Sequence, residues 1–233
     1  MNAAAYTPIV VMAYLIGSVP TAFIIARLAG GIDIRKHGSG NAGATNVFRT
    51  VGKAAGTACF LCDAGKGLAA VILAGALFPA TGLPGELLAF AAVVAGHNWP
   101  VFLGFRGGKG MATMIGGFLG IAPWVVLSCI LLWLLVVTLS RYVSLGSIAA
   151  AAAIPLFLWL YGHGAVLIVF GALLGILAVI RHRSNIKRLL SGTENKIGQK
   201  IIAKKQDTRN NNQTIFKLQI KIIKLHRFTD YGR

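Results

Sequence analysis

Long apolar runs alternate with short polar stretches along this chain of 233 residues. The runs are helical in length, and they lack the alternation of period two that the strands of an outer-membrane barrel would show. We therefore predict an all-α, polytopic membrane protein with seven transmembrane helices. The predicted membrane-spanning segments are residues 6–28, 56–78, 85–103, 111–124, 125–140, 145–161 and 165–181.

The number of segments depends on residues 111–140, which fit either one long helix or two short helices around Pro123. With residues 38–49 in the cytoplasm and seven segments, the outer loops contain no Lys or Arg, whereas six segments would leave the basic cluster after Ile180 outside. By the positive-inside rule we predict seven segments, an external N-terminus and a cytoplasmic C-terminus. Several segments are shorter than the roughly 20 residues of a full span, so we expect shallow helices or local thinning of the bilayer.

The composition agrees with a membrane location and limits the partners. Hydrophobic residues make up 56% of the chain and charged residues 12%, and a soluble fold of this size could not bury so much apolar surface. The net charge of +17 would suggest nucleic acid in a soluble protein. Because the positive-inside rule accounts for most of this charge, we expect no nucleic-acid partner.

The first polar stretch, residues 38–49, contains three glycines within six positions. Such glycines let the backbone curl until N–H groups converge, a geometry that suits a phosphate. Short polar side chains add hydrogen-bonding groups, and Arg49 adds a planar charged group that matches phosphate oxygens. A flexible membrane loop is the plain alternative. The residues concerned are Gly38, Ser39, Gly40, Asn41, Gly43, Thr45 and Asn46.

The second polar stretch, residues 96–113, also has the features of an anion site. Gly107 and Gly108 permit close approach of the backbone, and Lys109 supplies a point charge. The stretch is not a Walker A loop, because Lys109 is followed by glycine rather than Ser or Thr. His97 lies just before this turn, and it fits either a structural hydrogen-bond donor or a base.

The third polar stretch, residues 181–196, predicts a helix that leaves the membrane and stops at Gly192. Arg181, Asn185 and Arg188 share one face of this helix. A basic face beside anionic lipid is the common explanation, yet this face emerges on the same side of the membrane as the two glycine-bearing stretches. Such a distribution favours a membrane-surface enzyme over a transporter, which places ionisable groups or broken helices near the midplane.

Acidic residues are scarce on the predicted inner face, where Asp33, Asp63 and Glu194 occur. A metal-dependent phosphotransferase would need clustered carboxylates, so we expect no metal and no cofactor. No serine has both a histidine and an acid nearby, so the sequence does not predict a catalytic triad. Asp63 and Lys66 lie three residues apart in the second segment, and they fit either a satisfied ion pair or catalytic groups.

Three segments carry a resemblance to a known family. GSGNAGATNVFR (38–49), GHNWPVFLGFRGGKGMAT (96–113) and RHRSNIKRLLSGTENKIG (181–198) resemble the cytoplasmic motifs of the bacterial acyl-phosphate:glycerol-3-phosphate acyltransferases, the PlsY-type enzymes. Ala42 stands where relatives often carry proline. The resemblance implies a seven-helix enzyme of the bacterial cytoplasmic (inner) membrane with its active site on the cytoplasmic side. It would transfer a fatty acyl group from acyl phosphate to sn-glycerol 3-phosphate, the first step of phospholipid synthesis.

The resemblance also implies roles for individual residues. The catalytic assignments are Ser39, Asn46, Lys109, His182 and Asn185. The substrate-binding assignments are Gly38, Gly40, Asn41, Gly43, Ala44, Thr45, Arg49, His97, Arg106, Gly107, Gly108, Arg188 and Glu194. Further expected partners are membrane lipids and, through functional coupling, an enzyme that produces acyl phosphate.

Acyl phosphate has a good leaving group, so we expect the glycerol hydroxyl to attack the acyl carbonyl directly, without a covalent acyl-enzyme. His182 or the substrate's own phosphate would accept the proton. A small anion or phosphate transporter is the main alternative, and a structural partner in a lipid-synthesis complex is a further one.

The resemblance ends near Gly198, so residues 1–198 form the predicted transmembrane acyltransferase domain. Residues 199–233 are basic and depart from the family pattern. We expect a disordered tail there, with an amphipathic strip on anionic lipid as the alternative.

Overall fold

A computed structural model of the chain describes residues 6–198, and the predicted tail at 199–233 lies outside these residues. Within this range the chain forms α-helices, three single-turn 3-10 helices and connecting loops, with no strand. The helices are α1 (Thr7–Ser18), α2 (Thr21–Gly30), α3 (Ala44–Thr50), α4 (Lys53–Leu77), α5 (Gly82–Asn98), α6 (Met111–Ile121), α7 (Pro123–Ser140), α8 (Val143–Leu160), α9 (Ala165–Arg181) and α10 (Arg183–Leu190). The predicted all-α class is confirmed.

Length and apolar composition support fewer membrane spans than predicted. Five helical stretches between residues 6 and 198 are long and apolar enough, and a sixth is added if α9 and α10, which meet at 58°, count as one broken span. Helix α6 has 11 residues and is therefore about 16 Å long, roughly half the thickness of a hydrocarbon core. Seven spans and their orientation stay predictions. The five stretches are Thr7–Gly30, Lys53–Leu77, Pro79–Leu103, Pro123–Ser140 and Val143–Leu160.

Proline sets two of the helix boundaries. The first predicted segment is divided into α1 and α2 at Pro20, which lacks an N–H group and restricts the residue before it. Residues 111–140 could have formed one long helix or two short ones, and they form two. The second, α7, begins at Pro123, because proline is favourable at the first position of a helix. The stretch 38–49 is also not entirely loop, since its second half forms α3.

Helices α4 and α6 pack with their backbones in close approach. A Cβ atom added to Gly67 of α4 would lie 2.1 Å from the Thr113 carbonyl oxygen, and one added to Gly116 of α6 would lie 1.8 Å from the Ala64 carbonyl oxygen. Small residues at helix interfaces commonly permit such contacts in membranes. This contact fixes the N-terminal end of α6, which follows Lys109, against α4.

Helix α5 carries much of the core. Phe90 is fully buried, and its ring packs edge-on against Phe118, with centroids 4.8 Å apart, and tilted against Phe170 at 5.4 Å. Other helices expose large apolar side chains, such as Leu139 and Val166, as expected for surfaces that contact lipid. The C-terminal end of α5 thus holds His97 and Asn98 in buried positions, and a largely exposed turn follows them.

Candidate active site

A polar cavity of about 810 Å³ lies where the three polar stretches meet; we call it the catalytic cavity. Its walls come from α3, α4, α5 and α8, from the starts of α6 and α10, and from residues 194–195. Most of the predicted site residues line it, although the sequence places them as much as 155 positions apart. They are Ser39, Asn41, Gly43, Ala44, Thr45, Asn46, Arg49, His97, Lys109, His182, Asn185, Arg188 and Glu194.

The remaining predicted residues lie around this cavity rather than in its wall. Gly40, Arg106 and Gly107 line a larger neighbouring cavity of about 1800 Å³, which we call the outer cavity. Gly38 and Gly108 provide space: a Cβ atom at Gly38 would lie 2.3 Å from Asn46 Oδ1, and one at Gly108 would lie 2.1 Å from His97 Nε2.

The outer cavity is strongly basic. Asp33 is the one acid that lines it among residues 6–198, and Arg35 pairs with that carboxylate at 2.9 Å. Because cations outnumber acids, the cavity attracts anions toward the catalytic cavity, with which it shares Ser39 and Lys109. The lining cations are Arg35, Lys36, Arg106, Lys109, Arg181, Arg183 and Arg188.

Residues 34–46 wrap around the side chain of Asn46. The buried Asn46 side chain accepts a hydrogen bond from Ser39 N at 3.0 Å through Oδ1. Its Nδ2 donates to the carbonyl oxygens of Ile34, His37 and Asn41 at 3.0–3.2 Å. Since the amide hydrogens are all used by the loop, Asn46 shapes the site through the backbone that surrounds it.

Glu194 ties the third stretch to the rest of the site. This buried carboxylate accepts hydrogen bonds from Ser144 Oγ at 2.9 Å, Asn185 Nδ2 at 2.8 Å and Arg188 Nε at 2.7 Å. With its Nδ2 so held, Asn185 turns Oδ1 toward Lys109 Nζ, which donates to it. Glu194 therefore fixes the orientation of Asn185 and Arg188 and offsets part of the local positive charge.

Burial and neighbouring cations perturb the charged groups of the cavity. Burial, together with Arg188, Arg49 and Arg181, lowers the pKa of Lys109 to about 8, against the opposing attraction of Glu194. Burial likewise lowers the pKa of Arg49. For Glu194, burial acts to raise the pKa, but the hydrogen bonds that it accepts outweigh burial and lower it. The site is thus a set of desolvated cations that a dianionic ligand would stabilise.

His182 lies buried in the cavity wall at the junction of α9 and α10. Its Nδ1 is 2.8 Å from the Ala178 carbonyl oxygen, which can only accept, so Nδ1 carries the hydrogen and Nε2 keeps a lone pair. Burial and the adjacent Lys109 lower the pKa of His182 to about 4. The ring is therefore neutral near pH 7 and can accept a hydrogen bond or a proton through Nε2.

Arg181 was noted on the sequence as part of a basic face, but its contacts were not predicted. Its Nη2 donates to the carbonyl oxygens of Asn98 at 3.2 Å and Gly108 at 2.7 Å, and its guanidinium group lies 5.2 Å from the centre of the Trp99 ring. Arg181 thereby fastens α9 to the turn that presents Lys109.

Other lining residues were missed altogether. Ser144 and Ser147 lie on the cavity face of α8, and Phe60 and Met111 close its apolar side. The two serines are three residues apart in an otherwise apolar helix, which was the available signal. No signal in the sequence pointed to Phe60 and Met111, because apolar residues are ordinary in a membrane helix.

An apolar groove of about 960 Å³ continues from the catalytic cavity, with which it shares Phe60, Met111 and Ser147. It runs between α6, α7 and α8, and its lining is almost entirely apolar. The catalytic cavity therefore joins a cationic region to a groove that suits a hydrocarbon chain. The other lining residues are Met114, Ile115, Phe118, Val125, Val126, Cys129, Ile130, Trp133, Ala150, Ala151 and Ile154.

Residues 7–192, which contain every wall of this site except Glu194 and Asn195, match the family described as Glycerol-3-phosphate acyltransferase. The chain belongs to the glycerol-3-phosphate acyltransferase family. A member from Clostridioides difficile (strain 630) is 48% identical over 203 residues, which cover 86% of this chain and 99% of that protein. A second, from Desulforudis audaxviator (strain MP104C), is 47% identical over 197 residues, covering 84% and 98% respectively.

Solved structures of the same family share the fold. The crystal structure of PlsY (YgiH), an integral membrane glycerol 3-phosphate acyltransferase, in its glycerol 3-phosphate form is 40% identical to this chain, with a TM-score of 0.77. The match covers 83% of this chain and 96% of PlsY. The lysophosphatidic acid form of PlsY matches with a TM-score of 0.76. The resemblance stated from the three motifs is thus confirmed at the level of the family, and with it the class of membrane acyltransferase.

Proposed function

We propose that this chain transfers a fatty acyl group from acyl phosphate to sn-glycerol 3-phosphate, giving 1-acyl-sn-glycerol 3-phosphate (lysophosphatidate) and inorganic phosphate. One observation carries the proposal: a cavity lined by half-buried cations opens directly into an apolar groove. A reaction that joins a phosphate-bearing alcohol to a fatty acyl chain needs both surfaces side by side. The glycerol 3-phosphate and lysophosphatidic acid forms of PlsY support the choice of acceptor and product.

The acceptor phosphate binds among Arg49, Lys109 and Arg188, whose charges converge on the catalytic cavity. Asn185 and Glu194 hold the last two of these cations in place. The loop from Ser39 to Asn46 surrounds the phosphate of the donor, and the acyl chain extends along the groove between α6, α7 and α8.

In the proposed reaction the glycerol hydroxyl attacks the acyl carbonyl carbon directly. A new carbon–oxygen bond forms, the bond from the acyl carbon to the phosphate oxygen breaks, and its electron pair leaves with phosphate. The hydroxyl proton passes to His182 Nε2, which has a free lone pair, or to the phosphate of the substrate. Backbone N–H groups and fixed cations stabilise the developing charge without a covalent acyl-enzyme.

The outer cavity supplies an aqueous route for the two small phosphates. Its excess of cations would draw glycerol 3-phosphate in from the cytoplasm, and inorganic phosphate would leave the same way. This route requires the three polar stretches on the cytoplasmic side of the inner membrane. The fatty donor would arrive from the lipid side, from an enzyme that produces acyl phosphate.

The decisive experiment measures phosphate release and lysophosphatidate formation from palmitoyl phosphate by the purified protein, with and without glycerol 3-phosphate. We expect both products only when the acceptor is present, and near-complete loss in Arg49→Ala and Lys109→Ala. Lys187→Ala, which removes an exposed cation outside the cavity lining, is the matched control. Normal transfer by the Arg49 and Lys109 variants would refute the site.

Two further outcomes separate the alternatives. A radiolabelled acyl-enzyme trapped without acceptor would replace direct attack by a covalent mechanism. Flux of phosphate or glycerol 3-phosphate into sealed vesicles, without acyl transfer in detergent, would indicate the anion transporter instead.

A further inference from the structure

A buried charged cluster lies at the side of the catalytic cavity, within the membrane-spanning part of the bundle. Asp63 of α4 is 1% exposed, and its Oδ1 lies 2.8 Å from Lys66 Nζ and 3.3 Å from His97 Nδ1. Thr21 of α2 donates a third hydrogen bond to the same oxygen, and Cys59 Sγ lies 3.6 Å from Oδ2. Asp63 and His97 both line the catalytic cavity.

Part of this cluster has a structural explanation. Lys66 Nζ also donates to the Val19 carbonyl oxygen at 3.2 Å, so it ties the break between α1 and α2 to α4. The contact between Asp63 and His97 is not needed for that tie. A buried ion pair is weak evidence for stabilisation because desolvation costs about as much as the attraction returns, and ionisable groups inside a membrane usually mark function.

The pairing fixes which nitrogen of His97 carries the hydrogen. Asp63 is ionised because it pairs with Lys66, and a carboxylate can only accept hydrogen bonds. His97 Nδ1 must therefore carry a hydrogen, which leaves Nε2 for another partner. Nε2 makes no hydrogen bond to residues 6–198. A Cβ atom at Gly108 would lie 2.1 Å from Nε2 and 2.9 Å from the Ala42 carbonyl oxygen, so Nε2 lies where the two glycine-bearing loops meet.

We propose that Asp63 is a positioning residue for acyl transfer. Its carboxylate accepts the Nδ1–H of His97 and fixes the ring, so that Nε2, when it carries a hydrogen, donates a hydrogen bond to the phosphate of the acyl donor as the carbon–oxygen bond breaks. Asp63 of α4 contacts Nδ1 of the ring, the turn at Gly108 lies against Nε2, and Lys66 pairs with the same carboxylate oxygen as Nδ1. This inference rests on the proposed function, and no proton needs to leave His97 for the reaction to balance.

The test is a set of kinetic variants measured with palmitoyl phosphate and glycerol 3-phosphate. Asp63→Asn keeps the shape but can present a hydrogen-bond donor to Nδ1, as in the analogous change of a catalytic triad. We expect kcat to fall about tenfold or more, with the KM for glycerol 3-phosphate nearly unchanged. Thr21→Val removes a neighbouring hydrogen bond to the same carboxylate. Its kcat should stay unchanged, and the variant shows what the loss of a purely structural contact in this cluster does.

A double variant separates positioning from packing. His97→Ala should lose as much activity as Asp63→Asn, and Asp63→Asn should add nothing in the His97→Ala background. Independent, multiplicative losses would overturn the proposal, as would an unchanged kcat in Asp63→Asn.

A second measurement does not depend on a variant that folds. In the wild-type protein with ¹⁵N-labelled histidine, the His97 signal at alkaline pH should be that of the Nδ1–H tautomer, and the opposite tautomer would overturn the inference. This readout also distinguishes the two proposals, because a wild-type protein without acyl transfer would refute the proposed function while leaving the tautomer to be read.

Discussion

Lys109 enters the catalytic cavity from a turn of glycines, and its ammonium group sits among Arg49, Arg181 and Arg188. Burial and these cations make the charged form costly, whereas a bound phosphate dianion would repay that cost. In the site without ligand the cations therefore repel one another, and binding of the phosphate relieves this repulsion. Glu194, which also lines the cavity, moderates the repulsion and accepts hydrogen bonds from Asn185 and Arg188.

This arrangement predicts how activity depends on pH. Lys109, with its pKa lowered to about 8, is charged below that pH and loses its charge above it. The kcat/KM for glycerol 3-phosphate should therefore fall above about pH 8, because kcat/KM reports the free enzyme. The kcat should fall only at higher pH, since the bound dianion raises the pKa of Lys109. A pH–rate series between 6 and 10 measures both limbs.

The control is Lys109→Arg, whose side chain stays charged throughout this range. Its residual activity should lack the alkaline fall in kcat/KM. An identical fall in the wild type and in this variant would assign the titration to another group.

At the scale of elements, the contact between α4 and α6 predicts a sharp difference between two glycines of one helix. Gly67→Ala would place Cβ 2.1 Å from the Thr113 carbonyl oxygen, whereas Gly65→Ala meets no atom within 4 Å. We expect Gly67→Ala to lower the free energy of unfolding by about 1–3 kcal/mol and to reduce activity, because α6 follows Lys109. Gly65→Ala should be neutral or slightly stabilising. Thermal unfolding in detergent compares the two, and equal stabilities would contradict the close packing.

The groove between α6, α7 and α8 predicts a dependence on the length of the acyl chain. Ala150 is buried in the groove wall, so Ala150→Trp should fill the space that the chain would occupy. Transfer from palmitoyl phosphate should fall about tenfold or more, whereas transfer from acetyl phosphate should be nearly unchanged. Leu156→Trp, an exposed position on the same helix outside the groove, is the control. Equal losses with both donors would place the acyl chain elsewhere.

At the scale of the whole molecule, the orientation in the membrane decides which compartment supplies each substrate. The positive-inside pattern predicts that the site lies on the cytoplasmic side, and the outer cavity would then open toward cytoplasmic glycerol 3-phosphate. The short helix α6 could not cross a bilayer of ordinary thickness unaided. A direct test of sidedness is therefore needed.

In a variant without native cysteines, Thr193→Cys and Gly164→Cys provide exposed single positions at the two predicted faces. A membrane-impermeant maleimide should label Thr193→Cys only in inside-out vesicles and Gly164→Cys only in right-side-out vesicles. Labelling of both positions from the same side would overturn seven spans, and retained acyl transfer in each variant is the folding control.

Local pattern and charge were enough to predict the all-α membrane class and the three polar stretches, because the lengths of apolar runs can be read along the chain. The family resemblance of those stretches then implied most of the cavity lining. They were less reliable for boundaries. The division at Pro20 was not predicted, although proline is a local signal for it. Helix α3 was not predicted, since its position depends on the contacts that Asn46 makes with the preceding loop.

The sequence by itself thus determined which chemical groups are available: phosphate-compatible loops, cations on one face and a shortage of carboxylates. Only the tertiary structure decided how they act. It turned Asn46 into the support of its loop, brought Arg181 to Gly108 across 73 positions, and set Asp63 against His97. Helical periodicity specifies which face a residue occupies, but helix packing alone specifies which distant face it meets.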